Sequence, residues 1–147
     1  MKYTVEIVID LNIDHVTQLF DSSEDLKKWQ SELVSFEHLT GRPGQPGAKS
    51  KLVYQMGKQQ IEMIETITLR NLPFEFHSSY EANGVFNTIK NRFEYLEFSK
   101  TKWTSENEFQ FSGMLKLTSF FTKSSFPKQT LKFMQQFKEY AENIQHQ

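Results

Sequence analysis

The stretch from Ser125 to Gln147, SFPKQTLKFMQQFKEYAENIQHQ, decides how the rest of the chain must fold. Leu131, Met134, Phe137, Ala141 and Ile144 recur at spacings of three and four, and Phe133 and Tyr140 widen the stripe. That period places them on one face of an amphipathic helix. Lys128, Lys132, Gln136, Glu139 and Glu142 take the remaining surface. Met114, Leu117, Phe120 and Phe121 begin a helical face of their own before Pro127. Proline removes a helix donor, so the pattern predicts a helix over 127–145 and a bend or break near 123–126. A stripe so rich in aromatic and methionine side chains needs a broad apolar partner.

The preceding residues read as that partner, a run of strands able to form one antiparallel sheet. Tyr3, Val5, Ile7 and Ile9 alternate with polar neighbours, the period of a half-buried strand. Asn12 is placed to cap a short helix carrying Val16, Leu19 and Phe20. Ser22 and Ser23 can cap a second one carrying Leu26 and Trp29, with Asp25 placed as in a capping box. These short helices are too small to stand alone and read as a plug at one end of the sheet. Further strands are predicted over Leu33–Leu39, Lys51–Gln55, Ile61–Leu69, Phe74–Tyr80, Val85–Phe98 and Thr101–Ser112. In them Val34, Phe36 and His38 share a face, as do Ile61, Met63, Glu65, Ile67 and Leu69. Asn83-Gly84 is the dipeptide preferred in a type I′ hairpin turn. The glycine- and proline-rich run from Gly41 to Gly47 excludes regular structure. One curved antiparallel sheet with one long helix across it is an α+β roll, and the space between the two is a natural cavity.

Composition bounds the function. A chain of 147 residues fits a single domain, 1–147, and carries 14 phenylalanines. A formal net charge of −1 supplies no field for nucleic acid or an anionic membrane. Cysteine is absent, which excludes disulfide and thiolate chemistry. No apolar run reaches the roughly 20 residues of a membrane span, and the opening KYTVEIVID reads as a strand and not as a signal peptide. The expectation is a cytoplasmic protein, monomeric or homodimeric, with no membrane insertion, no nucleic-acid partner and no cofactor. The glycine run has no Lys-Ser/Thr at the P-loop offset, and no Gly-x-Ser-x-Gly elbow occurs.

The order and spacing of several segments resemble the START-like, or SRPBCC, superfamily over essentially the whole length. They are TVEIVIDLNIDHVTQLFDSSEDLKKW, GQPGAKSKLVY, MIETITLRNLP, TKWTSENEFQFSG and LKFMQQFKEYAE. The resemblance implies the helix-grip fold and a deep cavity for hydrophobic molecules such as lipids, sterols, polyketides or aromatic compounds. Some members are cyclases or dehydratases, others bind or transport ligands, and one branch stimulates a chaperone ATPase. The chain lacks an iron-binding His/His/carboxylate cluster, which speaks against the oxygenase branch. Binding of a hydrophobic or aromatic small molecule leads these readings. A lyase or isomerase of the cyclase/dehydratase type, and an interaction module like the chaperone activators, stand as alternatives.

Candidate ligand-binding residues are Trp29, Tyr54, Met63, Glu65 and Asn91, together with Phe93, Trp103, Phe121, Met134 and Phe137. Aromatic and methionine side chains suit an adaptable apolar site, although such residues more often form plain core. Candidate acid–base groups are Glu65 and His77. Glu65 shares its phase with apolar residues, where Arg92 or His77 could partner it. Charged residues are rarely buried unpaired, so the favoured expectation is that a bulge or twist turns Glu65 outward. His77 lies out of phase with Phe74 and Phe76 and reaches the cavity only if a bulge inverts that phase. Asn87 and Asn91 would orient a ligand carbonyl or hydroxyl if they face inward; an outer face is slightly favoured. The spacings of His15, His38, His77 and His146 match no metal signature.

Overall fold

The computed structural model describes residues 1–112 and 125–144. The elements run β1 (Lys2–Ile9), α1 (Ile13–Asp21), α2 (Ser23–Trp29), β2 (Leu33–Thr40), β3 (Lys49–Met56), β4 (Gln59–Asn71), β5 (Glu75–Ala82), β6 (Val85–Leu96), β7 (Lys100–Phe111) and α3 (Ser125–Ile144). The seven strands form one curved antiparallel sheet in the order β1-β7-β6-β5-β4-β3-β2. Strands β2 to β7 are thus a continuous meander, and β1 returns to pair with β7. This is the helix-grip arrangement, with α1 and α2 at one end and α3 against the inner face.

Local chemistry explains the connections. The Asn12 side chain accepts from the His15 amide and so caps α1, and Ser22 does the same for Asp25 in α2. Asn83 and Gly84 both take positive φ, 45° and 81°, as a type I′ turn between β5 and β6 requires. Gly41 has φ of 80°, and a side chain there would bring its Cβ within 2.8 Å of the Ala48 backbone. The loop between β2 and β3 can therefore close tightly at its base.

Three details depart from the sequence expectation. Pro127 does not interrupt α3; it sits in the first turn, where backbone N–H groups have no helical partner and proline is tolerated. The helix accordingly starts at Ser125, two residues earlier than expected. The part of the expected bend at 123–124 and the helical face around Met114, Leu117, Phe120 and Phe121 lie outside the described residues. In β4 the register shifts between Ile67 and Leu69, so Leu69 turns outward while Arg70 comes to the inner face. A similar shift between Leu33 and Ser35 leaves Val34 exposed and keeps Phe36 and His38 inward.

The main core gathers Ile9, Leu11, Ile13, Val16, Trp29, Phe93, Trp103, Met134, Phe137 and Ala141. Phe20 of α1 is its hub, meeting Phe76, Phe93, Trp103 and Phe137 in edge-to-face contacts with ring centroids 5.1–6.2 Å apart. Such geometry is the favoured one for aromatic pairs. Tyr140 of α3 donates to the Asp25 carboxylate and ties the long helix to α2.

Candidate functional site

The aromatic hub fills only one end of the inner face. Beyond it, between the sheet and α3, lies a chamber of about 260 Å³. Met56, Ile61, Met63, Val85, Ile89, Phe133 and Met134 give it an apolar wall. Tyr3, Asn87, Asn91, Ser105, Asn107, Gln129 and Thr130 add neutral polar groups. A second chamber of about 510 Å³ adjoins it and includes His38, Ser50, Glu65, Arg70, Ser78 and the glycine loop at Pro43, Gly44 and Gln45. Phe20, Trp29, Gln30, Tyr54 and Tyr80 border both spaces. The Tyr54 hydroxyl donates to Gln30 Oε1 at 2.7 Å, a bridge between sheet and α2 at this boundary.

The strand register explains how these side chains meet. Glu65 of β4 pairs directly with Tyr80 of β5, and Tyr80 with Asn87 of β6. Directly opposed residues point to the same face, so a polar row crosses an otherwise apolar surface. Tyr80 donates to Glu65 Oε2 at 2.6 Å and accepts from the Ser78 hydroxyl at 3.3 Å. One strand further on, Trp103 Nε1 donates to Asn91 Oδ1 at 2.9 Å, and Asn107 Nδ2 donates to Ser105 Oγ at 2.9 Å.

Burial raises the Glu65 carboxyl above its ordinary range, against the opposing pull of the Tyr80 hydrogen bond. Burial also pushes the Tyr80 phenol well up, and the Glu65 charge adds to that. A carboxyl held in this way is suited to gain or lose a proton nearer neutrality than an exposed one. At the edge of the larger chamber, Arg70 forms two 2.6 Å bonds to the Asp21 carboxylate and donates to the Gly44 carbonyl at 3.0 Å. It thereby fastens the glycine loop to α1.

The structure sorts the sequence candidates into groups. Trp29, Tyr54, Met63, Asn91, Trp103 and Met134 border the smaller chamber, and Glu65 borders the larger. Phe93 and Phe137 lie on the inner side and line neither chamber; Phe20 seals them into the core. Phe121 lies outside the described residues. The favoured expectation that Glu65 faces outward is overturned, because the β4 register shift occurs after Ile67 and leaves Glu65 in phase with Met63. Asn87 and Asn91 likewise face inward. His77 is removed from the candidates: no bulge inverts β5, and its imidazole lies 3.3 Å from Glu75 on the opposite face. Arg92 also faces away from Glu65 and pairs with Glu106 at 2.7 Å. The partner of Glu65 is Tyr80.

Sequence reasoning passed over Tyr80 and Asn107 as site residues. The signals were present: Tyr80 continues the period of Phe76 and Ser78, and Asn107 that of Trp103 and Phe109. Among the described residues no group of three or more His, Asp or Glu side chains is placed to hold a metal ion. No described helix is long and apolar enough to cross a membrane.

No protein-family model and no curated protein sequence matches the chain. Solved structures do. The Zhui aromatase/cyclase from a Streptomyces species superposes with a TM-score of 0.79 at 11% identity, covering 97% of this chain and 93% of that one. A START superfamily protein from Mycobacterium smegmatis gives 0.77 at 11% identity, covering 97% and 98%. Norcoclaurine synthase from Thalictrum flavum, solved with dopamine and hydroxybenzaldehyde, gives 0.73 at 11% identity, covering 100% and 88%. The fold is therefore the helix-grip fold of START-like proteins.

Proposed function

We propose that this protein binds a hydrophobic or aromatic small molecule between the sheet and α3. The observation that carries this reading is the chamber of about 260 Å³ walled by Met56, Ile61, Met63, Phe133 and Met134. Apolar space of this kind, with a few convergent polar groups, is the usual form of a small-molecule site. Two fold relatives, an aromatase/cyclase and a synthase solved with aromatic compounds, support the same direction. Native mass spectrometry of the freshly purified protein should show a bound small molecule. An apolar fluorescent dye should bind and be displaced by hydrophobic competitors. Ile61→Trp, which fills the chamber, should abolish dye binding while leaving the fold intact; unchanged binding in that variant would overturn the reading.

The Glu65–Tyr80 pair favours a second reading, proton transfer of lyase or isomerase type on a molecule that reaches past Tyr80 into the adjoining larger chamber, where Glu65 lies. Glu65 would take a proton from carbon beside a carbonyl, and the adjacent phenol would stabilise the charge that develops. The wild type should accelerate hydrogen–deuterium exchange at the α-carbon of 2-tetralone in D₂O, followed by NMR. Glu65→Gln should stop that acceleration while retaining dye affinity. Exchange at the solvent rate with the wild-type protein would leave binding as the only activity.

A further inference from the structure

We infer that the ligand is a neutral molecule bearing a hydroxyl group, and that Asn87 and Asn107 receive that hydroxyl at the end of the smaller chamber away from the aromatic hub. The inference rests on the binding reading above and assigns its polar anchor. The observation is an imbalance among buried amides. Asn107 is 1% exposed, and its Nδ2 is committed to Ser105, but its Oδ1 has no hydrogen-bond partner among the described residues. Among the described residues Asn87 Oδ1 is likewise buried without one, and so is Gln129 Nε2 on α3. All of them border the same chamber.

The two asparagines are close neighbours on the sheet. Asn107 pairs with Ile89 across β6 and β7, and Asn87 is two residues from Ile89 on the same face. The two asparagines are thus diagonal neighbours, about 7–8 Å apart in an antiparallel pair. Gln129 approaches from the helix above, beside Thr130, whose hydroxyl lies 2.6 Å from that of Tyr3. A buried carbonyl oxygen without a donor is costly, so this end of the chamber calls for a ligand that supplies one.

Two features narrow the group. None of the described residues bordering this chamber is ionised at neutral pH, so a charged ligand group would be desolvated with no counter-charge beside it. Rotating the Asn107 amide by half a turn would offer an N–H where the free oxygen now is. A hydroxyl gives its one proton to one of the two amide oxygens, accepts the N–H of the other amide once that amide is rotated, and can also accept from Gln129. A ketone or ether only accepts and leaves the amide oxygens unmet. The hydroxyl would sit at the amides while an apolar body lies along Met63, Ile61 and Met134.

The test compares three probes of similar shape by isothermal titration: 2-naphthol, 2-methylnaphthalene and 2-naphthoate. The wild type should bind 2-naphthol about tenfold or more tightly than 2-methylnaphthalene, as expected when buried polar groups are otherwise unpaired. Binding of 2-naphthoate should be weaker than that of the naphthol. Asn107→Leu, close in shape, should bring the naphthol and methylnaphthalene affinities together without losing the latter. Asn87→Leu provides the same comparison at a less buried position should the first variant fold poorly. Equal affinities in the wild type, a preference that survives in both variants, or tight naphthoate binding would each overturn the hydroxyl anchor while leaving the binding reading in place. Failure of all three probes to bind would overturn both.

Discussion

The inner face of the sheet has two ends built from neighbouring positions of the same strands. At one end the inward residues of β6 and β7 are Phe93 and Trp103, stacked with centroids 5.8 Å apart and capped by Phe20 and Phe137. At the other end the same strands contribute Asn87, Ile89, Ser105 and Asn107, which border the smaller chamber. Side-chain size alone does not make the difference. The sealed end also receives α1, whose Phe20 reaches four aromatic rings, whereas Asn87 and Asn107 look toward α3, where Gln129 and Thr130 border the chamber and Thr130 meets Tyr3 of β1. One end is closed by aromatic packing, and the other carries the chamber proposed above as the ligand site.

The largest expected effect tests the sealed end. Phe137 is 0% exposed and packs edge to face against Trp29 and Trp103 at 5.1 and 5.4 Å. Phe137→Ala should cost about 3–5 kcal/mol in urea unfolding, the range for a fully buried aromatic. A cost under 1 kcal/mol would mean that the helix does not close this core. At the open end Met63→Ala only enlarges an existing space and should cost about 1–2 kcal/mol, mostly lost apolar contact. It should weaken dye binding at the same time, whereas Phe137→Ala variants that remain folded should keep it. Equal costs at the two positions would erase the distinction between the ends.

Much of this division was hidden in the sequence, for identifiable reasons. The period of Leu131, Met134 and Phe137 fixes a helix and its buried face, and Asn83-Gly84 fixes a hairpin, because both depend on local backbone geometry. Period two groups Phe93 with Asn87 and Asn91, and Trp103 with Phe109 and Phe111, without saying which side of the sheet is the inner one. It cannot distinguish a core residue from a wall residue, because that depends on Phe20, more than seventy positions earlier than either. Register shifts are equally silent. Nothing in IETITLRN announces that the alternation slips between Ile67 and Leu69; because the slip comes after Glu65, that side chain stays in phase with Met63, while Leu69 turns outward and Arg70 comes to the cavity edge. Tyr80 was readable as an inward residue, but its partnership with Glu65 depends on the pairing of β4 with β5.

Glu65 sharpens the contrast through pH. Its carboxyl titrates near 4.5 in an unfolded chain and higher in the fold, where burial opposes ionisation. The folded state therefore holds the proton more tightly. The associated stability is complete below the unfolded value and is lost as pH rises through the folded one. Glu65→Gln keeps an oxygen for Tyr80 and removes the ionisation. It should raise the urea midpoint relative to wild type at pH 8 and leave it nearly unchanged at pH 4. A difference of equal size at both values would show that Glu65 keeps an ordinary carboxyl.

The smallest effect belongs to the other face of the sheet. Burial lowers the His77 imidazole below its ordinary value of 6.5, with Glu75 pulling it back up and Arg92 and Lys90 adding to the lowering. The sign is opposite to that of Glu65. Folded His77 binds its proton less readily than the unfolded chain does, so its contribution is complete above 6.5 and is lost as pH falls through the lower folded value. His77→Gln should flatten the acid side of the stability profile and change stability at pH 8 by about 0.5 kcal/mol or less, as for a residue outside the core. Because the imidazole faces Glu75 and not the cavity, dye affinity and any exchange of 2-tetralone should stay at wild-type levels. A loss of either in His77→Gln, with the urea midpoint unchanged, would mean that the outer face of β5 communicates with the chamber. That would end the separation between a structural outer face and a functional inner one.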